Sequence, residues 1–289
     1  MNTKRCLVSL WFSEICMLYI VATPIGNLED LSPRARRVLS EAQVIACEDT
    51  RRTRILLTAS NITRPPELVS YREGIEERAG ERLLADLAAG KTVALCTDGG
   101  YPGVSDPGYR LVREATRRGL EVVVIPGPSA VTVALVSSGL STSSYTFKGY
   151  PPKKPGVLRR FFEEEREAAH TLVIFESPHR IGKTLAAAHA VLGDREAAVC
   201  LELTKKFERV VRGFLGDLAK QFTEQGARGE ITVVIAGNHP KFRRDMEPEE
   251  PRMGANGREL DSSRGDAEGE EAESEDPEEL NDAEADSES

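Results

Sequence analysis

The sequence contains no Cys-x-x-Cys pair, no histidine spaced from Cys or Glu as metal ligands are, and no apolar run approaching the roughly 18 residues that cross a bilayer. Its five cysteines are scattered, and Cys47, Cys96 and Cys200 sit inside apolar runs. That is the usage of small buried hydrophobes in a reducing compartment rather than of a disulfide framework. The four histidines stand at 170, 179, 189 and 239, and no structural or catalytic metal is expected. Residues 1–16 carry Lys4 and Arg5 before a short apolar stretch, but Glu14 interrupts it and no small-residue cleavage site follows, which argues against a signal peptide. The segment reads as a loose leader or start-site artefact ahead of Met17. With export and membrane insertion set aside, the expected location is cytoplasmic.

A shortage of positive charge is only apparent. The formal net charge is −9 at pH 7, yet residues 245–289 hold 19 acidic side chains against 3 arginines, leaving 28 acids and 35 bases in residues 1–244. A body of net +7 fits a protein that binds a polyanion, because Lys and Arg release condensed counterions when they neutralise phosphates. The same surplus also reads as an ordinary solvated surface. The stretch 239–289, rich in Glu, Ser, Gly and Pro, buries too little apolar surface to offset its chain entropy and is expected to be a disordered acidic tail.

From Leu18 onward, β-rich runs alternate with helix-period segments, the pattern of parallel strands crossed over by helices. Strands are expected at 18–22, 44–47, 67–70, 92–96 and 121–125, with helices near 33–41, 51–59, 75–89 and 107–118. These compose an open, mostly parallel α/β domain over 17–138. The turn-rich G-L-S-T-S-S at 139–144 marks the expected boundary. A second, mixed α/β domain over 139–238 follows, with strands at 145–150, 171–176, 197–203, 208–213 and 231–236 and helices near 156–169 and 180–192. Strands that succeed one another without a helix imply antiparallel pairing.

No G-x-G-x-x-G follows the first strand, which excludes the ordinary dinucleotide fingerprint. Three other turns rich in Gly or Pro follow first-domain strands: T-P-I-G-N (23–27), T-D-G-G-Y-P-G-V-S-D-P-G (97–108) and P-G-P-S-A (126–130). All lie at carboxyl ends, where open parallel sheets bind ligands and where glycine lets a ligand approach the backbone. Each alone also reads as a tight turn; three together favour a ligand site. A further near-motif, S-P-H-R-I-G-K-T (177–184), departs from the phosphate-cradling G-x-x-x-x-G-K-[ST] at Ser177, and Pro178 removes an amide from the loop. A noncatalytic nucleoside-triphosphate module built on it is the weakest of the readings.

Taken in order, L-Y-I-V-A-T-P-I-G-N-L-E-D (18–30), A-C-E-D-T-R-R-T (46–53), D-G-G-Y-P-G-V-S-D-P-G (98–108), P-G-P-S-A (126–130), F-E-S-P-H-R (175–180) and E-L-T-K-K-F-E (202–208) resemble the tetrapyrrole-methylase superfamily and, within it, the ribosomal RNA small subunit methyltransferase I family. The resemblance spans about residues 18–238, with Leu201, Gly99 and Tyr101 departing from the family's usual residues. It implies a two-domain homodimer with S-adenosyl-L-methionine in the cleft between domains, acting on the 2′-hydroxyl of a cytidine in the decoding region of bacterial 16S rRNA. The partner would be the small ribosomal subunit. A tetrapyrrole (porphyrinogen or precorrin) methylase is the alternative.

On that resemblance the cofactor residues are Pro24, Gly26, Asp98, Gly99, Asp106, Pro126, Gly127 and Ser129, with Asp98 and Asp106 attracting the cationic donor. Methyl transfer needs positioning, exclusion of water and a base for the ribose hydroxyl. The base candidates are Glu202 and Lys205, then Glu176 and His179. Glu202 and Lys205 also read as a charge pair capping a strand end, and His179 as a helix cap. The RNA face draws on Arg51, Arg52, Arg54, Arg72, Lys153, Lys154, Arg159, Arg160, Lys205 and Lys206, with Tyr71, Tyr101 and Tyr150 available to stack on unpaired bases.

Overall fold

A computed structural model describes residues 17–62 and 66–244; the leader at 1–16 and the acidic stretch 245–289 lie outside the described residues. The first layer is built from β1 (Met17–Val21), α1 (Pro33–Glu41), β2 (Val44–Cys47), α2 (Thr50–Ala59), β3 (Glu67–Ser70), α3 (Glu76–Ala88), β4 (Val93–Leu95), α4 (Tyr109–Arg117) and β5 (Glu121–Ile125). Its strands pair in parallel in the order β3-β2-β4-β1-β5. Because successive side chains point to opposite faces, Leu18, Ile20, Val44, Ala46 and Leu95 pack with Leu83, Leu87 and Leu111 of α3 and α4. Val21, Ile45, Cys47 and Ala94 pack with Leu39 and Leu57 of α1 and α2 on the other. With both faces covered, β2 and β4 are buried at every position and show no polar alternation.

The second layer comprises α5 (Ala130–Ser138), β6 (Tyr145–Phe147), α6 (Pro155–Glu163), β7 (Thr171–Glu176), α7 (Ile181–Leu192), β8 (Glu196–Leu201), β9 (Arg209–Phe214), α8 (Leu215–Gln225) and β10 (Ile231–Ile235). The order is β6-β7-β10-β8-β9, with β6 parallel to β7 and the other neighbours antiparallel. The expected mixed sheet is present, but two helices were not foreseen. α5 leaves the apolar Val136 exposed and buries the polar Ser138, so it carries no 3.6-residue signal. Its Val131, Ala134 and Leu135 pack on Val173, Ala198, Cys200 and Val234 of the second sheet. That helix ends before the 139–144 turn, so the second layer recruits residues ahead of the expected boundary. α8 stands between β9 and β10, and its Leu215, Leu218, Ala219 and Phe222 do follow helical spacing.

Order also extends past Asn238, where disorder was expected. Pro240–Phe242 forms a 3-10 turn, Arg243 bridges to Arg195, and Arg244 N donates to Asp194 O at 3.0 Å. The anchor is Arg195, 2% exposed, whose guanidinium donates to the carbonyls of Leu192, Glu165, Arg166 and Ala236. Burial pushes its pKa down to about 10, which still leaves it charged at neutral pH. Cys47, Cys96 and Cys200 are free and buried. Among the described residues no helix is long and apolar enough to cross a membrane, and no His, Cys, Asp and Glu side chains cluster as metal ligands.

Candidate functional site

Because β4, β1 and β5 are neighbours in the sheet, the three turns that are far apart in sequence meet at one edge. They are pinned to each other. Thr23 N donates to Gly100 O at 3.0 Å, Gly100 N donates to Thr23 O at 2.9 Å, and Thr23 Oγ1 donates to Thr97 O at 2.9 Å. Gly127 N donates to the Tyr101 hydroxyl at 3.0 Å, which ties in the third turn. The glycines serve this close approach: a Cβ on Gly99 would stand 3.3 Å from Pro24 O, and one on Gly127 would stand 2.9 Å from the Ala22 Cβ.

The opposite wall comes from the second layer, through Tyr150, Phe175, Leu203, Lys205, Glu230 and the Ile231–Thr232 start of β10. The seam between the walls closes at Gly26, where a Cβ would lie 2.3 Å from Lys205 Cγ and 2.8 Å from Thr204 Oγ1. The E-L-T-K turn that meets it holds Glu202 at φ 51° and Thr204 at φ 64°, left-handed conformations costly for non-glycine residues and concentrated at functional sites. The cleft so formed has a volume of about 560 Å³, in the range of small-ligand sites.

Four carboxylates, Glu48, Asp98, Asp106 and Glu230, line this cleft against two cations, Arg52 and Lys205. Arg52 Nη1 donates to Asp98 Oδ2 at 2.8 Å, while Asp98 Oδ1 is buried and accepts no hydrogen bond within the protein. A buried acceptor left open this way costs about 1–3 kcal/mol, a cost that a bound donor group would recover. Asp106 sits on a loop where Ser105 has φ 64° and Gly108 φ 153°. Burial lifts its pKa to about 6; a hydrogen bond with Thr97 opposes the shift, and the charges of Glu48, Asp98 and Glu230 add to it. On Lys205, partial burial works against the charge. Its hydrogen bonds to Glu202 Oε1 (2.8 Å) and Glu230 Oε2 (3.1 Å) prevail, holding the pKa above the ordinary lysine value. Glu202 is correspondingly lowered, by Lys205 first and the Glu230 backbone second.

Of the expected cofactor residues, Pro24, Gly26, Asp98, Gly99, Asp106 and Ser129 line the cleft. Pro126 and Gly127 belong to the third turn without lining it. The base candidates separate. Lys205 reaches the cleft but is held protonated, and Glu202 stands behind it with Oε1 engaged by both Lys205 and Glu230 N. Glu176 is buried, accepting from Ser177 N at 2.7 Å and from the Thr184 hydroxyl, and so ties β7 to α7. His179 lines a separate depression. Those hydrogen bonds also dispose of the phosphate-loop reading, since Thr184 is spent on Glu176 and Gly182 packs against Thr223 of α8, within 3 Å of a notional Cβ.

Among the expected RNA-binding residues, Arg52 pairs with Asp98 and lines the ligand cleft. Arg51 is paired with Asp49, the cap of α2, whose pKa it lowers to about 2. Arg159 pairs with Glu163, and Lys206 lies 5.7 Å over the Phe207 ring. Arg54, Arg72, Lys154 and Arg160 are exposed, and Lys153 borders the same depression as His179. Tyr71 is 1% exposed in the core and offers no stacking face, whereas Tyr101 and Tyr150 line the cleft. Glu230 was missed. It precedes an antiparallel strand, so the amino end of β10 lies beside the carboxyl ends of β7 and β8, and a search confined to carboxyl ends passes it over.

The profile of the Tetrapyrrole (Corrin/Porphyrin) Methylases matches residues 17–219. The chain is 45% identical to the ribosomal RNA small subunit methyltransferase I of Halalkalibacterium halodurans, over 81% of this chain and 78% of that one. It is 39% identical to the protein of that name in Bacillus subtilis (78% and 77%) and 41% identical to that of Thermotoga maritima (76% and 98%). Among solved structures it resembles cobalt precorrin-4 methyltransferase, a cobalamin biosynthetic enzyme, with a TM-score of 0.58 at 18% identity over 78% of this chain and 96% of that one. It also resembles uroporphyrin-III C-methyltransferase from Thermus thermophilus complexed with S-adenosylhomocysteine, with a TM-score of 0.53 at 21% identity (76% and 96%). At these identities the structural likeness concerns the fold.

Proposed function

The chain is a methyltransferase that belongs to the tetrapyrrole methylases and, within them, to the ribosomal RNA small subunit methyltransferase I family, and from that membership we propose that it methylates small-subunit ribosomal RNA with S-adenosylmethionine. The proposed target is the 2′-hydroxyl of a cytidine in the decoding region of 16S rRNA, and the proposed setting is the bacterial cytoplasm. One observation carries the reading: a buried, unpartnered Asp98 Oδ1 in a cleft whose carboxylates outnumber its cations. That set of groups suits a cationic nucleoside bearing hydroxyl and ammonium donors, and Leu28, Ile55 and Leu56 offer apolar cover to a flat base. The Thermus thermophilus relative's complex with S-adenosylhomocysteine is consistent with such a ligand.

When bound, S-adenosylmethionine supplies an electrophilic methyl group on a positively charged sulfur. Asp98 would accept a hydrogen bond from it, with Pro24, Gly26, Gly99 and Ser129 shaping the wall. Asp106, in place of Glu202 or Lys205, is the group suited to accept the proton of the ribose hydroxyl, since a useful base titrates near the working pH. Lys205, held as a cation by Glu202 and Glu230, takes no part in that proton transfer and closes the seam against Gly26. The walls position the two reactants, so little acceleration need come from covalent chemistry.

The test is to incubate the protein with tritiated donor and undermethylated small subunits, then map the ribose that becomes resistant to alkaline cleavage. Label in a single cytidine of the rRNA is the expected result. Label entering a porphyrinogen in the absence of RNA would replace the reading with the tetrapyrrole one, and failure to take up the donor would end both. The homodimer implied by the resemblance would cover edge strand β5 and α5, where Val124 is 53% and Val136 69% exposed. Light scattering is expected to give twice the chain mass of 31.7 kDa; a single-chain mass excludes the dimer.

A further inference from the structure

Next to the cleft, and sharing Tyr150 with it, lies an open depression bordered by Lys153, Ser177, His179 and Arg180 and by the Pro151–Pro152 turn. Its floor is braced. Arg180 Nη2 donates to Pro151 O at 3.1 Å and to Pro152 O at 2.9 Å, and Nη1 lies 3.5 Å from Glu176 Oε1. The guanidinium is thereby spent on holding the two turns together, with its charge offset by a carboxylate that is itself buried. What remains open is donor chemistry. Lys153 and His179 form no ion pair among the described residues. Ser177 Oγ accepts from His179 N at 3.4 Å, which leaves its hydroxyl proton to donate. No carboxylate borders the depression, in contrast to the acid-rich cleft next door.

Tyr150 forms the partition. It is 60% exposed, and its ring meets Phe175 at a tilt, with a centroid distance of 5.6 Å, which leaves much of the ring open. In a ribonucleotide the 2′ and 3′ carbons are adjacent, so a sugar that offers its 2′-oxygen to the cleft carries a phosphodiester one carbon away. Resting on the RNA reading above, we propose that this depression is a subsite for the phosphodiester beside the methylated ribose, liganded by Lys153 and His179, with Tyr150 stacking on a base at the partition. The site takes a phosphate because it presents donors on a fixed frame with no competing acid. It assigns His179 to substrate positioning, away from proton transfer.

The test uses the full chain and small subunits. The double variant Lys153→Gln/His179→Gln is expected to bind subunits about tenfold or more weakly, as removal of charge-assisted hydrogen bonds would give. The slope of log affinity against log salt should shrink by about 0.7 to 1 for each phosphate that the variant no longer neutralises. The donor's Kd, measured by calorimetry without RNA, is expected to stay within twofold, which separates weakened RNA binding from a damaged fold. Lys153→Arg should restore most of the affinity missing in Lys153→Gln. Unchanged subunit affinity and salt slope in the double variant, while the wild type methylates the subunit, would overturn the subsite and leave the RNA reading standing. A wild type that neither binds nor methylates subunits would overturn both.

Discussion

Asp106→Asn is expected to lower kcat on ribosomal RNA by about 10²–10⁴-fold, the range contributed by a positioned general base, while leaving the protein folded. Asp106 combines access to the cleft with a carboxyl raised by burial, and further by Glu48, Asp98 and Glu230, to about 6 against Thr97's opposing hydrogen bond. A raised carboxyl is protonated below about pH 6, so activity should climb as pH passes through 6, and that limb should vanish in the Asn variant. The stability consequence has the opposite sign. A group whose pKa rises from 3.8 to about 6 on folding stabilises the fold while protonated, and this contribution is lost as pH rises through 6. At about pH 7.5, above that range, the Asn variant should therefore melt no lower than the wild type. A kcat within tenfold of wild type would remove Asp106 from the proton-transfer step.

The second large effect is expected at the seam. Gly26→Val should weaken donor binding by about 100-fold, equivalent to roughly 3 kcal/mol, and lower the melting temperature through overpacking, typically about 1–3 kcal/mol. The first added carbon would meet Lys205 Cγ at 2.3 Å, Thr204 Oγ1 at 2.8 Å and Leu203 O at 3.0 Å. Lys205 is a flexible side chain, but it is tethered to Glu202 and Glu230, and the turn behind it already holds two residues in left-handed conformations. Little can yield except the separation of the walls. Gly26→Ala should give a smaller loss of the same kind. Wild-type donor affinity in Gly26→Val, read by calorimetry, would show that the seam does not shape the donor site.

The residues whose surroundings the sequence does not display share a cause. Glu176, Arg52 and Tyr71 each carry a chemistry that sequence patterns associate with function, yet their roles depend on what lies opposite. Glu176 meets Thr184 one helical turn into α7, Arg52 meets Asp98 from 46 residues away, and Tyr71 falls into the α3–α4 core. Glu230 went unseen for the converse reason, since its own segment is unremarkable and only the antiparallel register of β10 brings it to Lys205. α5 was hidden because its exposed side carries the apolar Val136 and its buried side the polar Ser138, which erases the amphipathic period by which helices are read.

By itself the sequence determined the alternating layers, the clustering of glycine and proline at three carboxyl-end turns, the division between a basic body and an acidic stretch, and the motif order that marks the family. These depend on local spacing and composition, which a linear chain displays openly. The tertiary structure alone decided which acid has a raised pKa, which lysine is locked as a cation, which arginine walls the cleft and which glycine closes it. Those properties come from burial, charge neighbours and interatomic distance across the two sheets, quantities that exist only once distant segments are packed together.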